Sequence, residues 1–135
     1  MVQSLTMDWE SLAAAALAAR EWAYAPYSGY RVGAALALDD GEVITGSNVE
    51  NRLPALAVCA ERVAVCRAVA GGFTGFQALV VATASSPPAP PCGLCLETLA
   101  EFVADLPILL VNPEGEHEEV SLTQLLPHRF NLPSH

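Results

Sequence analysis

Three cysteines and one glutamate are the residues of this sequence whose types and spacing could do chemistry. Cys92 and Cys95 form a Pro-Cys-Gly-Leu-Cys unit at the predicted start of a helix, where both sulfurs can point at one site. The free N–H groups of a helix start also favour thiolates. Taken alone, this pair fits a metal site, a redox dithiol or a chance spacing about equally well.

The unit Cys59-Ala60-Glu61 is predicted to open another helix. Side chains two residues apart in mid-helix point to different sides, so this spacing can serve one site only at a helix start. Pro54 and Val58 place the helix boundary at that point. Taken alone, a buried cysteine beside an exposed glutamate is the simpler interpretation.

The two units together predict a catalytic zinc site. The thiolates of Cys59, Cys92 and Cys95 leave one coordination position open, whereas a structural zinc site is closed by a fourth protein ligand. Zinc lowers the pKa of a water in that position from about 16 to about 7. Glu61, which is not a ligand, is placed to take the proton. A Cys-x-Glu unit followed by Pro-Cys-x-x-Cys is the signature of zinc-dependent deaminases.

The other cysteine and the histidines are not expected to bind this ion. Cys66 lies seven residues after Cys59, about 10 Å along a helix, and is predicted to be a small buried hydrophobic residue. His117, His128 and His135 fall in the polar C-terminal third, where turn or surface positions are expected.

Apolar periodicity and turn residues predict an alternation of helices and strands. The fold class that follows is α/β: a three-layer α/β/α sandwich with one mixed sheet of about five strands. The predicted elements are, in chain order, a helix capped by Thr6 or Asp8 and running to Ala23, strands 30–38 and 42–46, a helix 58–70, a strand 77–84, a helix 93–104, strands 107–111 and 118–122, and a short helix 123–126.

Length and charge restrict the class of protein. The 135 residues predict a single domain over residues 1–135. Six Lys and Arg stand against fifteen Asp and Glu, and the net charge of −9 argues against binding to nucleic acid or to an anionic membrane. A small or weakly charged ligand is expected instead. A cytoplasmic location is predicted, where cysteines favour metal or thiol chemistry over disulfides.

Five segments of the chain match one known family in order and spacing: Tyr24-Ala-Pro-Tyr-Ser-Gly-Tyr-Arg-Val-Gly-Ala-Ala35, Gly46-Ser-Asn-Val-Glu-Asn51, Cys59-Ala-Glu-Arg62, Pro91-Cys-Gly-Leu-Cys95 and Leu125-Leu-Pro-His-Arg-Phe130. Through them the chain resembles, over nearly its whole length, the short, homotetrameric type of cytidine deaminase. The resemblance implies one zinc ion per subunit, held by Cys59, Cys92 and Cys95, with Glu61 moving protons. It also implies hydrolysis of cytidine and 2′-deoxycytidine to uridine and 2′-deoxyuridine, with release of ammonia, in pyrimidine salvage.

The resemblance also assigns residues to the substrate. Asn48 and Glu50 would hydrogen-bond the ribose 3′-hydroxyl, and the backbone of Ala60 would hold the edge of the base. Tyr30, where the family usually has Phe, would line the cavity floor. Phe130 would stack on the base across a subunit interface, so that active sites are completed between subunits. From the residues alone, other roles fit as well. Asn48 could be a turn residue and Glu50 a solvated charge. Tyr30 could be a strand residue facing the core, and Phe130 an anchor for the C-terminal segment.

Arg62 and two departures from the family pattern concern the surroundings of the zinc. Arg62 is predicted to donate to the Cys59 thiolate and so reduce the negative charge of the site; a surface Arg bridging to Glu is the alternative. Leu96-Glu97 replaces the usual Arg-Gln, and Arg52-Leu53-Pro54 replaces small residues and a Tyr near the mouth of the cavity. The second change leaves the metal site intact and alters the outer substrate contacts.

Three other functions remain as alternatives. The same chemistry could act on a modified cytosine nucleoside such as blasticidin S. A non-catalytic zinc-binding module would use the metal for folding only, but would gain nothing from Glu61. The prolines of residues 85–91 could form a Pro-x-x-Pro ligand, although a rigid approach to Cys92 is the simpler interpretation. Editing of polynucleotides is disfavoured by the charge.

Overall fold

The five strands of the computed structural model, which describes residues 7–132, form one mixed sheet. The third and fourth strands are parallel to each other, and the other neighbouring pairs are antiparallel. The mixed sheet predicted from the sequence is therefore confirmed. The strands are β1 Gly33–Leu38, β2 Val43–Ser47, β3 Phe76–Ala82, β4 Pro107–Val111 and β5 His117–Ser121, and their order in the sheet is β2-β1-β3-β4-β5.

Helices cover both faces of this sheet, as the three-layer prediction requires. The first helix packs on one face through a core that is rich in alanine, and the others pack on the opposite face over a core of larger Leu, Val and Ile side chains. The helices are α1 Trp9–Ala19, α2 Ala60–Ala70, α3 Gly93–Ala100 and α4 Leu122–Leu125, with 3₁₀ turns at Arg20–Trp22 and Pro54–Leu56.

Local capping explains where several helices begin and end. Asp8 caps α1 by accepting the N–H of Ser11 at 3.0 Å, whereas Thr6 lies outside the described residues. Ser121 and Gln124 form a capping box at the start of α4. After α2, Gly72 adopts a φ of +95°, which L side chains rarely adopt.

The second long helix begins two residues later than predicted, because Val58 is extended. Val58 and Val49 exchange two backbone hydrogen bonds of 2.9 Å each in an isolated antiparallel bridge. This bridge brings the segment after β2 alongside the start of α2. The residues on either side of it, Asn48, Glu50 and Cys59, are thereby drawn to one place.

The predicted burial of Cys66 is wrong, since this side chain is exposed on α2. The buried face of the helix is formed by Ala60, Glu61, Ala64, Val65 and Ala68. Cys66 is one helical step beyond Val65, about 100° around the axis, which turns it away from the sheet. His117 and His128 are exposed as predicted, and His135 lies outside the described residues.

One edge of the sheet collects the ends of four strands. Ser47, Gly33, Ala82 and Val111 lie in one row across β2, β1, β3 and β4. The chain therefore leaves β2, β3 and β4 and enters β1 at the same edge. In α/β sheets, this carboxyl edge is where ligands commonly bind.

Among residues 7–132, none of the helices combines the length and the apolar composition that crossing a bilayer requires.

Candidate metal centre and active site

The starts of two helices deliver the three thiols to one point. Cys59 is the N-cap of α2 and Cys92 is the N-cap of α3, both with extended backbones, and Cys95 lies in the first turn of α3. The carbonyl of Cys59 accepts the N–H of Val63 at 3.0 Å, and that of Cys92 accepts the N–H of Leu96 at 3.0 Å. The backbone of each N-cap thus begins its helix while the side chain extends off the end.

The spacing of the sulfur atoms fits a zinc ion. The Sγ atoms of Cys59 and Cys92 are 3.7 Å apart, and those of Cys92 and Cys95 are 3.5 Å apart. All three lie within 4.8 Å of one another. Tetrahedral coordination with Zn–S bonds of about 2.3 Å requires S···S distances of roughly 3.8 Å. The predicted zinc ligands are therefore brought together, with Cys66 outside the group.

The electrostatics of the cluster favour at least one thiolate. Hydrogen bonds with Cys95, and to a smaller extent with Cys92 and Arg62, outweigh the effect of burial and together lower the pKa of the Cys59 thiol to about 5. The same shared proton raises the pKa of Cys95. Two helix N-termini add partial positive charge at this point.

Glu61 lies beside the thiols with only 5% of its surface exposed. Burial raises the pKa of its carboxyl to about 7, and the neighbouring charge of Cys59 acts in the same direction. A carboxyl group with a pKa near 7 can both take up and release a proton at neutral pH.

Cys59, Cys92 and Glu61 line a cavity of about 260 Å³, and the third thiol, that of the buried Cys95, lies behind them within 4.8 Å of the other two. Tyr30, Asn48, Glu50 and Ala60 line it as well, so four of the five residues predicted to contact substrate lie around one space. Ligand pockets commonly range from about 300 to 1,000 Å³. The cavity is slightly smaller than the lower end of this range, so its volume suits a single small molecule.

Asn48 joins the cavity to the entry of β1. Its Oδ1 accepts the N–H of Val32 at 2.8 Å, and its Nδ2 donates to the carbonyl of Tyr30 at 2.9 Å. The strand predicted to start at residue 30 begins at Gly33 in the structure, and the backbone before it is bonded to the Asn48 side chain instead. One amide hydrogen and one lone pair of Asn48 stay available for a ligand.

Glu50 is held as a carboxylate by the loop before β1. Its Oε1 accepts the N–H groups of Tyr27 at 2.9 Å and Ser28 at 3.2 Å, and the Ser28 hydroxyl donates to Oε2. The Ser28 hydroxyl lowers the pKa of Glu50, and the two backbone N–H groups reinforce the effect. The side chain therefore presents a fixed negative charge to the cavity.

Arg62 is half-buried next to the thiols. Its Nη2 donates to the carbonyl of Ala57 at 3.2 Å, while its Nε is buried without a hydrogen-bond partner among residues 7–132. Its positive charge contributes to the low pKa of Cys59. This position is compatible with the predicted moderation of thiolate charge, which stays a prediction.

Phe130 is the one predicted site residue that the structure keeps apart from the others. It is 69% exposed and does not line the cavity of its own chain. Its N–H donates to both carboxylate oxygens of Glu97, at 3.3 and 3.1 Å. Arg129 donates to the carbonyls of Ala100, Val103 and Ala104, which helps to end α3 four residues earlier than predicted.

The two departures from the family pattern occupy different places. Leu96 is buried in the core and Glu97 binds the backbone of Phe130, so neither replaces a positive charge at the thiols. Arg52 and Pro54 line a shallow second cavity of about 250 Å³, which shares Glu50 with the first.

Two buried polar residues are absent from the sequence-based prediction. Thr83 follows β3 and lines the cavity, and Asn112 follows β4 and donates to the carbonyl of Ser85. Their signal in the sequence is a polar residue directly after an apolar strand, at the edge where the carboxyl ends of parallel strands meet.

Comparisons with known proteins agree with this geometry. Residues 7–109 match the family model described as the cytidine and deoxycytidylate deaminase zinc-binding region. The chain is 43% identical to the cytidine deaminase of Sporosarcina psychrophila over 126 residues, which cover 93% of each chain. It is 27% identical to the blasticidin-S deaminase of Bacillus cereus over 109 residues, which cover 75% of this chain and 77% of that protein.

A solved structure extends the similarity to three dimensions. The crystal structure of cytidine deaminase from Burkholderia pseudomallei superposes with a TM-score of 0.89 at 42% sequence identity, covering 92% of this chain and all (100%) of the other. Because the family model spans the thiols at Cys59, Cys92 and Cys95 together with most of the chain, this protein belongs to the cytidine and deoxycytidylate deaminase family.

Proposed function

We propose that this protein deaminates cytidine and 2′-deoxycytidine to uridine and 2′-deoxyuridine, adding water and releasing ammonia, as a step of pyrimidine salvage. The observation that carries the proposal is one cavity lined by two of the three clustered thiols, those of Cys59 and Cys92, together with the buried Glu61 carboxyl, Asn48 and Glu50. The zinc-dependent chemistry and the nucleoside-binding groups are thereby within reach of one small molecule.

Glu61 carries the proton transfers in this proposal. When bound by Cys59, Cys92 and Cys95, zinc activates water as a nucleophile at neutral pH. The Glu61 carboxylate accepts a proton from the attacking water and delivers it to N3 of the pyrimidine as the hydroxyl adds to C4. It then takes the proton of that C4 hydroxyl and gives it to the amino group, which leaves as ammonia as the C4 carbonyl forms. Its burial and its pKa of about 7 support both directions of transfer.

Asn48, Glu50 and Ala60 orient the nucleoside. The free positions of the Asn48 amide and the Glu50 carboxylate hydrogen-bond the ribose 3′-hydroxyl. The N–H of Ala60 is in the first turn of α2, where no intrahelical carbonyl accepts it, and is available to the edge of the base. A site built around a hydroxyl rejects ligands that lack it by a large factor.

Blasticidin S is the alternative substrate, and the similarity to a blasticidin-S deaminase favours testing it. Retention of Asn48 and Glu50 at the cavity supports an ordinary ribose instead. In a competition assay with both compounds, we expect cytidine to be consumed first. Preferential turnover of blasticidin S would reverse the assignment.

The assay for the main proposal follows cytidine deamination by ultraviolet absorbance, with zinc measured in the same sample. We expect Glu61→Gln to keep its zinc and to lower kcat by about 10² to 10⁴. Unchanged turnover in Glu61→Gln would favour the non-catalytic zinc module. Cys92→Ser should lose zinc and activity, whereas the matched Cys66→Ser, on the exposed side of α2, should retain both.

The assembly in this proposal is a homotetramer in which Phe130 of one subunit reaches the cavity of another. The exposure of Phe130 and its anchoring away from the cavity of its own chain support this. Coexpressed Glu61→Gln and Phe130→Ala chains should recover activity that neither has alone, since mixed assemblies contain sites with both native residues. Absence of recovery in a mixed tetramer would contradict shared sites. The proposed location is the cytoplasm, which keeps the thiols reduced.

A further inference from the structure

We infer that Tyr30 is a positioning residue whose hydroxyl, bonded to Ser85, ties the nucleoside-binding end of the cavity to the segment that leads to Cys92. The inference rests on the proposed function and adds to it a contact between the two ends of the site. The segment, residues 83–91, is called the metal loop below.

The hydroxyl of Tyr30 is 2.6 Å from the Oγ of Ser85, although 55 residues separate them in sequence. The backbone of Tyr30 is fixed independently of this bond. Its N–H donates to the Ser28 hydroxyl at 3.0 Å, and its carbonyl accepts from Asn48 at 2.9 Å. Ser28 in turn donates to Glu50. Of the two side chains proposed to bind the ribose, Asn48 therefore holds Tyr30 directly and Glu50 holds it through Ser28.

The metal loop is held to the sheet by polar side chains at its other points. Thr83 Oγ1 accepts the N–H groups of Ser85 and Ala89, each at 3.3 Å. The buried Asn112 donates to the carbonyl of Ser85 at 3.0 Å. These bonds fix the base of the loop, and the Tyr30 hydroxyl adds a contact from across the cavity.

Two features make this contact relevant to the site. Ala89 and Pro90 of the metal loop line the cavity, and Cys92 directly follows the last residue of the loop. A bond that limits movement of Ser85 therefore limits the distance between Asn48 on one wall and the Cys92 sulfur on the other. Phe at position 30 would fill the same space without making this bond.

The test is a double-mutant cycle of Tyr30→Phe, Ser85→Ala and the double variant. The first measurement is amide hydrogen exchange of a peptide covering the metal loop, the second is the rate of zinc transfer to a chromophoric chelator, and the third is kcat and KM for cytidine. We expect each single variant to speed exchange and zinc transfer and to raise KM about two- to tenfold, the range of one lost hydrogen bond.

The double variant should resemble the single variants, because either substitution removes the same bond. Tyr24→Phe is the matched control: this tyrosine is exposed, its hydroxyl makes no hydrogen bond within the described part of the chain, and its variant should behave as wild type. Additive effects in the double variant, or unchanged exchange in the metal loop of Tyr30→Phe, would overturn the inference.

Exchange and zinc transfer do not depend on the substrate. A wild-type protein that fails to deaminate cytidine would refute the proposed function while the loop measurements still test the bond. An active wild type with an unaltered loop in Tyr30→Phe would refute the bond alone.

Discussion

Gly46 allows α2 to lie close to β2, and a single methyl group there should displace the helix that carries the site. A Cβ built on Gly46 lies 2.3 Å from the carbonyl oxygen of Ala60 and 2.6 Å from the backbone nitrogen of Ala64. Both are backbone atoms of α2, so no change of rotamer relieves the overlap. Restoring ordinary contact requires α2 and β2 to separate by about 1 Å.

This separation gives the expected size of the effect. Overpacking a dense core costs about 1 to 3 kcal/mol, and because the overlap is with backbone atoms, Gly46→Ala should lower the unfolding free energy by about 3 kcal/mol. The start of α2 carries Glu61 and follows Cys59, and a misplacement of about 1 Å can cost roughly 100-fold in rate. We therefore expect kcat/KM for cytidine to fall about 100-fold.

Urea unfolding and steady-state kinetics of zinc-loaded protein measure both effects. Gly93→Ala is the matched control, because Gly93 lies in the first turn of α3 between two zinc ligands and a Cβ there meets nothing within 4 Å. It should unfold within about 1 kcal/mol of wild type, with any change stabilising, and keep its activity. If Gly46→Ala matched wild type in both measurements, the close packing of α2 on β2 would be refuted.

Three further predictions concern other parts of the chain. Arg129→Ala should lower the unfolding free energy by about 2 kcal/mol in urea, because three carbonyls, one at the end of α3 and two after it, lose a charged donor; an unchanged midpoint would contradict this. The Ser86 hydroxyl and the Asn112 amide hold the pKa of Glu116 below its ordinary 4.5, so the stability advantage over Glu116→Gln should be complete above that pH and vanish as the pH falls through the lowered value. A pH-independent difference in unfolding free energy would refute that linkage. Dialysis against a chelator should abolish deamination and lower the unfolding midpoint, and zinc should restore both; full activity at zero zinc content would disprove the requirement.

The cluster of Cys59, Cys92 and Cys95 could be predicted from the sequence because short-range spacing decides where each thiol lies. A cysteine at a helix start and another within its first turn are set by short spacing and by helix boundaries, and both helix starts were found to within two residues. The error at Cys66 had an equally local cause. The distance of Cys66 along α2 excludes it as a ligand. Its burial depends instead on its angular position around the helix, which turns it toward solvent.

The positions of Thr83, Asn112 and Phe130 depend on contacts between segments that are distant in the sequence. Thr83 and Asn112 lie at the same end of the sheet because β3 and β4 are adjacent and parallel, and this pairing joins segments that are distant in the sequence. The N–H of Phe130 donates to Glu97, and the neighbouring Arg129 donates to the carbonyl of Ala100 at the end of α3. Both bonds join segments that are distant in the sequence. Hydrophobic periodicity predicts the elements but does not encode these neighbours.

The two ends of the cavity depend on separate parts of the chain. The thiols belong to two helix starts, whereas Asn48 and Glu50 follow β2. The Val49–Val58 bridge joins the two regions through backbone atoms, and the bond between Tyr30 and Ser85 adds one side-chain contact. Under the proposed function, substitutions at the outer end therefore change the nucleoside that is accepted and leave the three thiols in place. Arg52 and Pro54, where this chain differs from the usual pattern, line the space at that outer end and are the positions where such substitutions would begin.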